Sequence, residues 1–210
     1  MRETTTIYLV RHGQTEWNVQ HRFQGHKDSP LTKLGIRQAE WLGEALQHDP
    51  FDFIFSSTSS RAYHTAELIK GNRNVQITAC DKFREINLGV WEGEIQERIS
   101  DMYPQQLDHF WNHPELFGVE GSETFHEVRE RAVNKLNEII ASNPGSRILL
   151  VTHTVVVKLL VAYFEGRSLD RLWDLPYIHP TCLSKIELTD DVPSILLHGD
   201  VSHYREEQGV

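Results

Sequence analysis

Two short, uninterrupted apolar runs constrain this chain more than any other feature: Ile7-Tyr8-Leu9-Val10 and Ile148-Leu149-Leu150-Val151. Successive side chains of a strand point to opposite faces of its sheet, so a strand apolar throughout must be covered on both sides. Strands of that kind belong to parallel sheets packed between helices. Phe53-Ile54-Phe55 is a further run of the same type, and residues 75–80 read as another strand. Between the runs the period changes to that of helices. Thr32 can cap a helix with Leu34, Trp41, Leu42 and Ala45 on one face, and a second helix is expected at about 60–69. Gly121-Ser122-Glu123 opens the clearest helix. Its stripe is Phe125, Val128, Ala132, Leu136, Ile139 and Ile140, and Asn143-Pro144-Gly145 stops it. Another helix should start at about 155. Strands at 182–188 and 194–198, joined through 189–193, suggest a hairpin and so an antiparallel member. The expected fold is a three-layer α/β/α sandwich with a mostly parallel sheet carrying one antiparallel strand. No repeat or linker interrupts the chain. One domain over 1–210 is therefore expected, with a cap of short helices and loops at about 84–121.

Composition narrows the function. A chain of 210 residues can bury a substantial core without staples. The longest apolar stretch, 155–164, is interrupted by Lys158 and is about half the length of a membrane span. No basic segment followed by an apolar one stands at the N-terminus, so the reading is a cytoplasmic protein with no membrane partner. Cys80 and Cys182 lie far apart without metal-site spacing, which fits reduced, buried thiols. With 30 acidic against 21 basic residues the net charge is −9, which argues against nucleic acid as a partner. An acidic chain can still bind a small anion, provided it gathers arginines in one cleft.

Ligands of open α/β sheets bind beyond the carboxyl ends of the strands. The first run ends in Arg11-His12-Gly13, the run at 148–151 in Thr152-His153-Thr154, and the run at 53–55 in a serine-rich turn leading to Arg61. Any one histidine at a strand end is ordinarily a hydrogen-bonded structural residue, and a lone arginine a surface one. Their joint occurrence after buried strands changes the reading. A neutral imidazole is a competent nucleophile near pH 7, and guanidinium forks match phosphate oxygens. Such a cluster can hold a phosphoryl group during in-line transfer. The transfer also needs an acid for the leaving oxygen. Glu85 follows the strand at 75–80, but its position alone does not single it out among the acidic residues.

The order of motifs resembles the histidine phosphatase superfamily, which has the phosphoglycerate-mutase-like fold. The resemblance rests on Arg11-His12-Gly13-Gln14-Thr15-Glu16-Trp17-Asn18, on Ser29-Pro30-Leu31-Thr32 with Gly35, and on Ser56 through Arg61 with Thr65-Ala66. It continues through Arg84-Glu85 with Gly89 and Trp91-Glu92-Gly93, and ends in Val151-Thr152-His153. Within the superfamily the chain is most similar to bacterial cofactor-independent broad-specificity phosphatases. The resemblance implies His12 as the phosphorylated nucleophile and Arg11, Arg61 and His153 as a phosphate pocket, with Asn18 as an added donor. It implies Glu85 as general acid and then base, and Gln24 as a substrate-side residue. No cofactor and no metal are implied, and the partner is a small-molecule phosphate monoester. The oligomeric state stays open.

Three alternatives frame that reading. A phosphoglycerate mutase follows its acid with Tyr-Gly and carries a longer middle segment and tail, whereas here Glu85 is followed by Ile86-Asn87-Leu88-Gly89. Phe110, Trp111, Leu116 and Phe117 also give a more apolar cover than a doubly anionic substrate favours, if they are not simply cap packing. A non-catalytic phospho-metabolite binding module would need neither His12 nor Glu85. Metal-dependent hydrolysis has only His109 and His113, four apart and followed at once by Pro114, to suggest it. The expectation is hydrolysis of phosphate monoesters.

Overall fold

The computed structural model describes residues 4–205. At its centre β1 (Thr4–Arg11) pairs in parallel with β4 (Arg147–Thr152), Ile7 opposite Ile148 and Val10 opposite Val151. Both runs are buried throughout, as continuous apolar strands must be. Alternation then sorts their side chains. Ile7, Leu9, Ile148 and Leu150 join one apolar cluster with α6 (Phe125–Ser142) and α7 (Thr154–Glu165). Tyr8, Val10, Leu149 and Val151 join another with α2 (Lys33–Ala45) and α3 (Ser60–Lys70). The result is helices, sheet and helices in three layers.

The sheet has six strands in the order β3-β2-β4-β1-β5-β6, with β2 at Phe53–Ser57 and β3 at Ile77–Cys80. β2 is parallel to β3 and β4. β5 (Leu183–Thr189) runs antiparallel to both β1 and β6 (Val192–Asp200). One strand therefore opposes the other five, as the hairpin implied. Its turn is tighter than 189–193: only Asp190 and Asp191 separate the strands, both at positive φ (52° and 62°), as a two-residue hairpin turn requires.

Two expectations need correction. β3 begins at Ile77 rather than at 75. In α2 the buried face is Gly35, Gln38, Ala39 and Leu42; Ala45 is exposed, and Leu34 and Trp41 are only half-buried. The loop after β1 decides this phase. A Cβ on Gly35 would stand 2.1 Å from the carbonyl oxygen of Gln14, so only glycine permits the approach, and Gln38 Oε1 accepts from the Gln14 amide (3.2 Å).

Residues 84–121 form short elements beyond the sheet: 3-10 turns at Gly89–Trp91 and Pro114–Leu116, and helices α4 (Gln96–Met102) and α5 (Pro104–Asn112). The four-residue helix α1 (Glu16–Val19) lies in the loop after β1. Trp91 is fully buried, with the rings of Phe23 and Phe117 centred 5.1 Å away and that of Phe110 at 6.0 Å. Phe110 and Phe117 thus serve the packing of the segment, whereas Leu116 is exposed. Among the described residues no helix is long and apolar enough to cross a membrane.

Candidate active site

The strands β1, β2 and β4 run in one direction, and their carboxyl ends meet at one edge of the sheet. Register pairs Arg11 with Thr152, which sets the next residues, His12 and His153, side by side with ring centroids 5.2 Å apart. The His12 amide donates to the Thr152 carbonyl (2.9 Å), and the Thr181 amide donates to the carbonyls of Arg11 and His12 (3.0 and 3.2 Å). The backbone of the candidate nucleophile is held from both sides.

His12 is buried, and its Nδ1 lies 2.7 Å from the Gly13 carbonyl oxygen. A carbonyl only accepts, so the proton is on Nδ1 and Nε2 keeps its lone pair. Burial, reinforced by Arg61 and Arg11, holds the imidazole pKa well below its usual 6.5. His12 is therefore neutral at pH 7.

Arg61 stands at the start of α3, after the serine-rich turn, and is 1% exposed. Its Nε donates to His12 Nε2 (3.3 Å), Nη2 to the Gly25 carbonyl (2.8 Å), and Nη1 to the Lys27 carbonyl (3.1 Å) and Asp28 Oδ1 (3.0 Å). Burial alone would raise the Asp28 pKa, but Ser60 and Arg61 hold it below the usual range. The loop that receives Arg61 is braced by Glu92, whose carboxylate accepts from the amides of His26 (2.6 Å), Leu88 (3.2 Å) and Lys27. Gly25 fits because a Cβ there would lie 2.4 Å from the Ile86 carbonyl oxygen.

Glu85 is buried, with Oε1 accepting from the Ile86 amide (3.0 Å) and Oε2 from the Val155 amide (3.2 Å) in the first turn of α7. Burial raises its pKa, against the pull of those two amides and of Arg61 and Arg11. It keeps a proton to higher pH than a solvated glutamate, the state an acid needs. His153 is wholly buried; its Nε2 lies 2.8 Å from Ser57 Oγ and its Nδ1 has no partner. Burial, then Arg61 and His12, lower its pKa well below 6.5. Arg11 donates through Nη1 to the Ile178 carbonyl (2.7 Å), while its buried Nε is unpartnered. Buried polar atoms are normally paired, so orphans in one cluster mark where an anion can supply the missing partner.

A cavity of about 350 Å³ opens beside these groups. Arg11, His12, Asn18, Gln24 and Glu85 line it; Arg61 and His153 pack against His12 without reaching the wall. Asn18 Oδ1 accepts from the Thr15 amide (3.0 Å), which leaves the side-chain NH2 as donor. Gln24 has both ends of its amide engaged, accepting from Thr15 Oγ1 (2.9 Å) and donating to Ser29 Oγ (2.9 Å). It braces the loop as well as lining the cavity. The rest of the wall is largely apolar: Phe23, Ile86, Phe110, Trp111, Trp173 and Tyr177 among others.

Lys158, read in the sequence only as an interruption of an apolar run, also lines the cavity. It donates to the carbonyls of Asp174 and Pro176, the latter at 2.8 Å, and so fixes one rim. A lysine within the apolar face of a helix was the one available signal. Thr181 gave none, and Glu92 stood in a motif of the resemblance without a role, since the work of both is done on distant backbone. Among the described residues no cluster of three or more His, Cys, Asp or Glu side chains is arranged to hold a metal; the rings of His109 and His113, 6.3 Å apart, belong to no such group.

Comparison with known proteins agrees with this architecture. The Bacillus stearothermophilus protein YhfR shares 42% identity, with a TM-score of 0.92 over 95% of this chain and 98% of that one. Phosphoserine phosphatase 1 of Hydrogenobacter thermophilus is 30% identical over 167 residues, covering 80% of this chain and 79% of the relative. A probable phosphoglycerate mutase of Proteus mirabilis is 34% identical over 165 residues, covering 76% and 74%. The family profile of the histidine phosphatase superfamily, branch 1, matches residues 7–201. With strand order, motif order and family profile in agreement, the chain belongs to the histidine phosphatase superfamily.

Proposed function

We propose that the protein hydrolyses phosphate monoesters through a phosphohistidine on His12, without a metal or other cofactor. One observation carries this reading. A neutral imidazole whose Nε2 is unprotonated and a buried carboxyl with a raised pKa line the same cavity, and the only bond that Nε2 accepts among the described residues is a long one from Arg61 Nε (3.3 Å), which an incoming phosphoryl oxygen can take over.

In the first step His12 Nε2 attacks phosphorus, the N–P bond forms and the P–O bond to the alcohol breaks. The departing oxygen takes the proton of Glu85. Arg11 and Asn18 meet the equatorial oxygens from the cavity wall, while Arg61 and His153, packed against the His12 ring behind it, add their charge and donor where the N–P bond forms. Each such donor typically contributes about 3 kcal/mol to the transition state. In the second step the Glu85 carboxylate removes a proton from water, whose oxygen attacks phosphorus. The N–P bond breaks, inorganic phosphate leaves, and Nε2 recovers its lone pair. Residues 84–121 act as a cap on a single domain, supplying the side of the cavity where the alcohol sits.

The similarity to a probable phosphoglycerate mutase keeps isomerisation as the second reading. A mutase must keep water from the phosphohistidine and bind a second phosphate. The aromatic wall of this cavity favours an alcohol without a second dianion, and the further cations on it, Arg22 and Lys158, already donate to protein acceptors. The test is a screen of phosphate release from alkyl, aryl and sugar phosphates, with 3-phosphoglycerate incubations analysed for 2-phosphoglycerate. Free phosphate from several esters, abolished in His12→Ala and unaffected by EDTA, is expected. Isomer formed without free phosphate, or activity lost to EDTA and restored by a divalent metal, overturns the proposal.

A further inference from the structure

One ion pair outside the cavity grips the segment that carries Glu85. Arg131, on α6, spends every guanidinium N–H on fixed acceptors. Its Nε and Nη2 form a fork on Glu123 Oε1 and Oε2 (both 2.8 Å). Nη1 donates to the carbonyls of Lys82 and Arg84 (both 2.8 Å), and Nη2 also donates to the carbonyl of Glu85 itself (3.0 Å). Glu123 completes the grip: its Oε2 accepts from the Asn87 amide (2.8 Å), and its own amide donates to the Asn87 carbonyl (2.9 Å). The backbone from 82 to 87 is thus tied at four points to two side chains, and at a fifth to the Glu123 amide, by residues that do not line the cavity.

We infer that Arg131 and Glu123 are positioning residues that hold Glu85 in place while its proton comes and goes; the inference rests on the acid–base role proposed above for Glu85. The carboxyl's own anchors, the amides of Ile86 and Val155, bind the carboxylate more strongly than the acid. They weaken whenever Glu85 is protonated, which is the state in which it must face the leaving oxygen. A bond to the Glu85 carbonyl is indifferent to that proton. Arginine suits the task because its planar fork serves a carboxylate and three carbonyls at once, which lysine cannot do.

The test compares an alkyl phosphate with p-nitrophenyl phosphate, whose leaving group barely needs a proton, in Arg131→Met, Arg131→Lys and Glu85→Gln, singly and combined. Folding of each variant is checked by circular dichroism. Misplacing a general acid costs part of the ~10²–10⁴-fold that such catalysis contributes. Arg131→Met should therefore lose about tenfold or more in kcat on the alkyl ester and much less on the aryl ester, with Arg131→Lys between it and the parent. In the Glu85→Gln background Arg131→Met should add little, because the group it positions is already gone. Equal loss on both esters, or full additivity with Glu85→Gln, overturns the positioning role while leaving the proposed function intact. If Glu85→Gln itself shows no difference between the esters, the assignment of Glu85 fails and this inference with it. Should Arg131→Met not fold, Arg131→Lys and Glu123→Gln carry the same comparison.

Discussion

His12 and Glu85 are driven toward neutrality by the same burial, with shifts of opposite sign: the imidazole resists gaining a proton and the carboxyl resists losing one. For Glu85→Gln, turnover should fall by about 10²-fold or more on alkyl phosphates and far less on p-nitrophenyl phosphate. A stopped assay of phosphate release on both esters checks this, and similar losses on the two count against Glu85 as the acid. The buried histidines also contribute to the loss of stability in acid, beside the paired carboxylates Asp28 and Glu123. His203 is lowered from 6.5 to about 4 by burial, and His12 and His153 shift the same way. Between the folded and unfolded values the unfolded chain binds more protons, so stability rises with pH there. The part due to His203 is complete above pH ~6.5 and is lost as pH falls toward 4, and the parts due to His12 and His153 are lost in the same direction. Calorimetry across that range should show a falling Tm, and His203→Gln should make the fall shallower; an unchanged slope contradicts this. At this scale the strand-end residues Arg11, His12 and His153 were legible, because a buried run followed by a polar group is a local pattern. The grip of Arg131 and the brace of Glu92 were not, since both act on backbone far away in the chain.

The helices and strands show where local pattern suffices and where it does not. The stripe of α6 was read almost residue for residue, because apolar packing against α7 and the shared core alone decides its face. The face of α2 was read out of phase, because a polar contact and a close glycine approach decide it. Gly35→Ala tests that reason: the added methyl meets the Gln14 carbonyl oxygen at 2.1 Å. Overpacking of this kind costs about 1–3 kcal/mol. Urea denaturation should show that loss, and a neutral result would mean that the loop after β1 yields easily. Trp91 makes the same point for residues 84–121. It fills the space between Phe23, Phe110 and Phe117, so Trp91→Ala should cost about 3–5 kcal/mol. Activity should fall too, since Phe23 and Phe110 line the cavity. A folded Trp91→Ala variant with parental kcat/KM would separate the packing of residues 84–121 from the site.

Across the whole molecule an acidic chain of net charge −9 concentrates arginines at one edge of its sheet, which is how it can attract an anion against its own field. Parallel register of β1 with β4 aligns His12 with His153, and the turn after β2 delivers Arg61 to the same point. The order of strands was legible only as a class, because pairing across long separations leaves no local trace. The central claim is that His12 carries the phosphoryl group. Its most direct test is to mix the protein with p-nitrophenyl phosphate, quench within a turnover, and map the adduct by mass spectrometry of base-stabilised peptides. An acid-labile phosphoryl group on His12, formed with the burst of nitrophenol and absent in His12→Ala, is the result this account expects. An adduct on another residue, or nitrophenol released at the parental rate by His12→Ala, would contradict it.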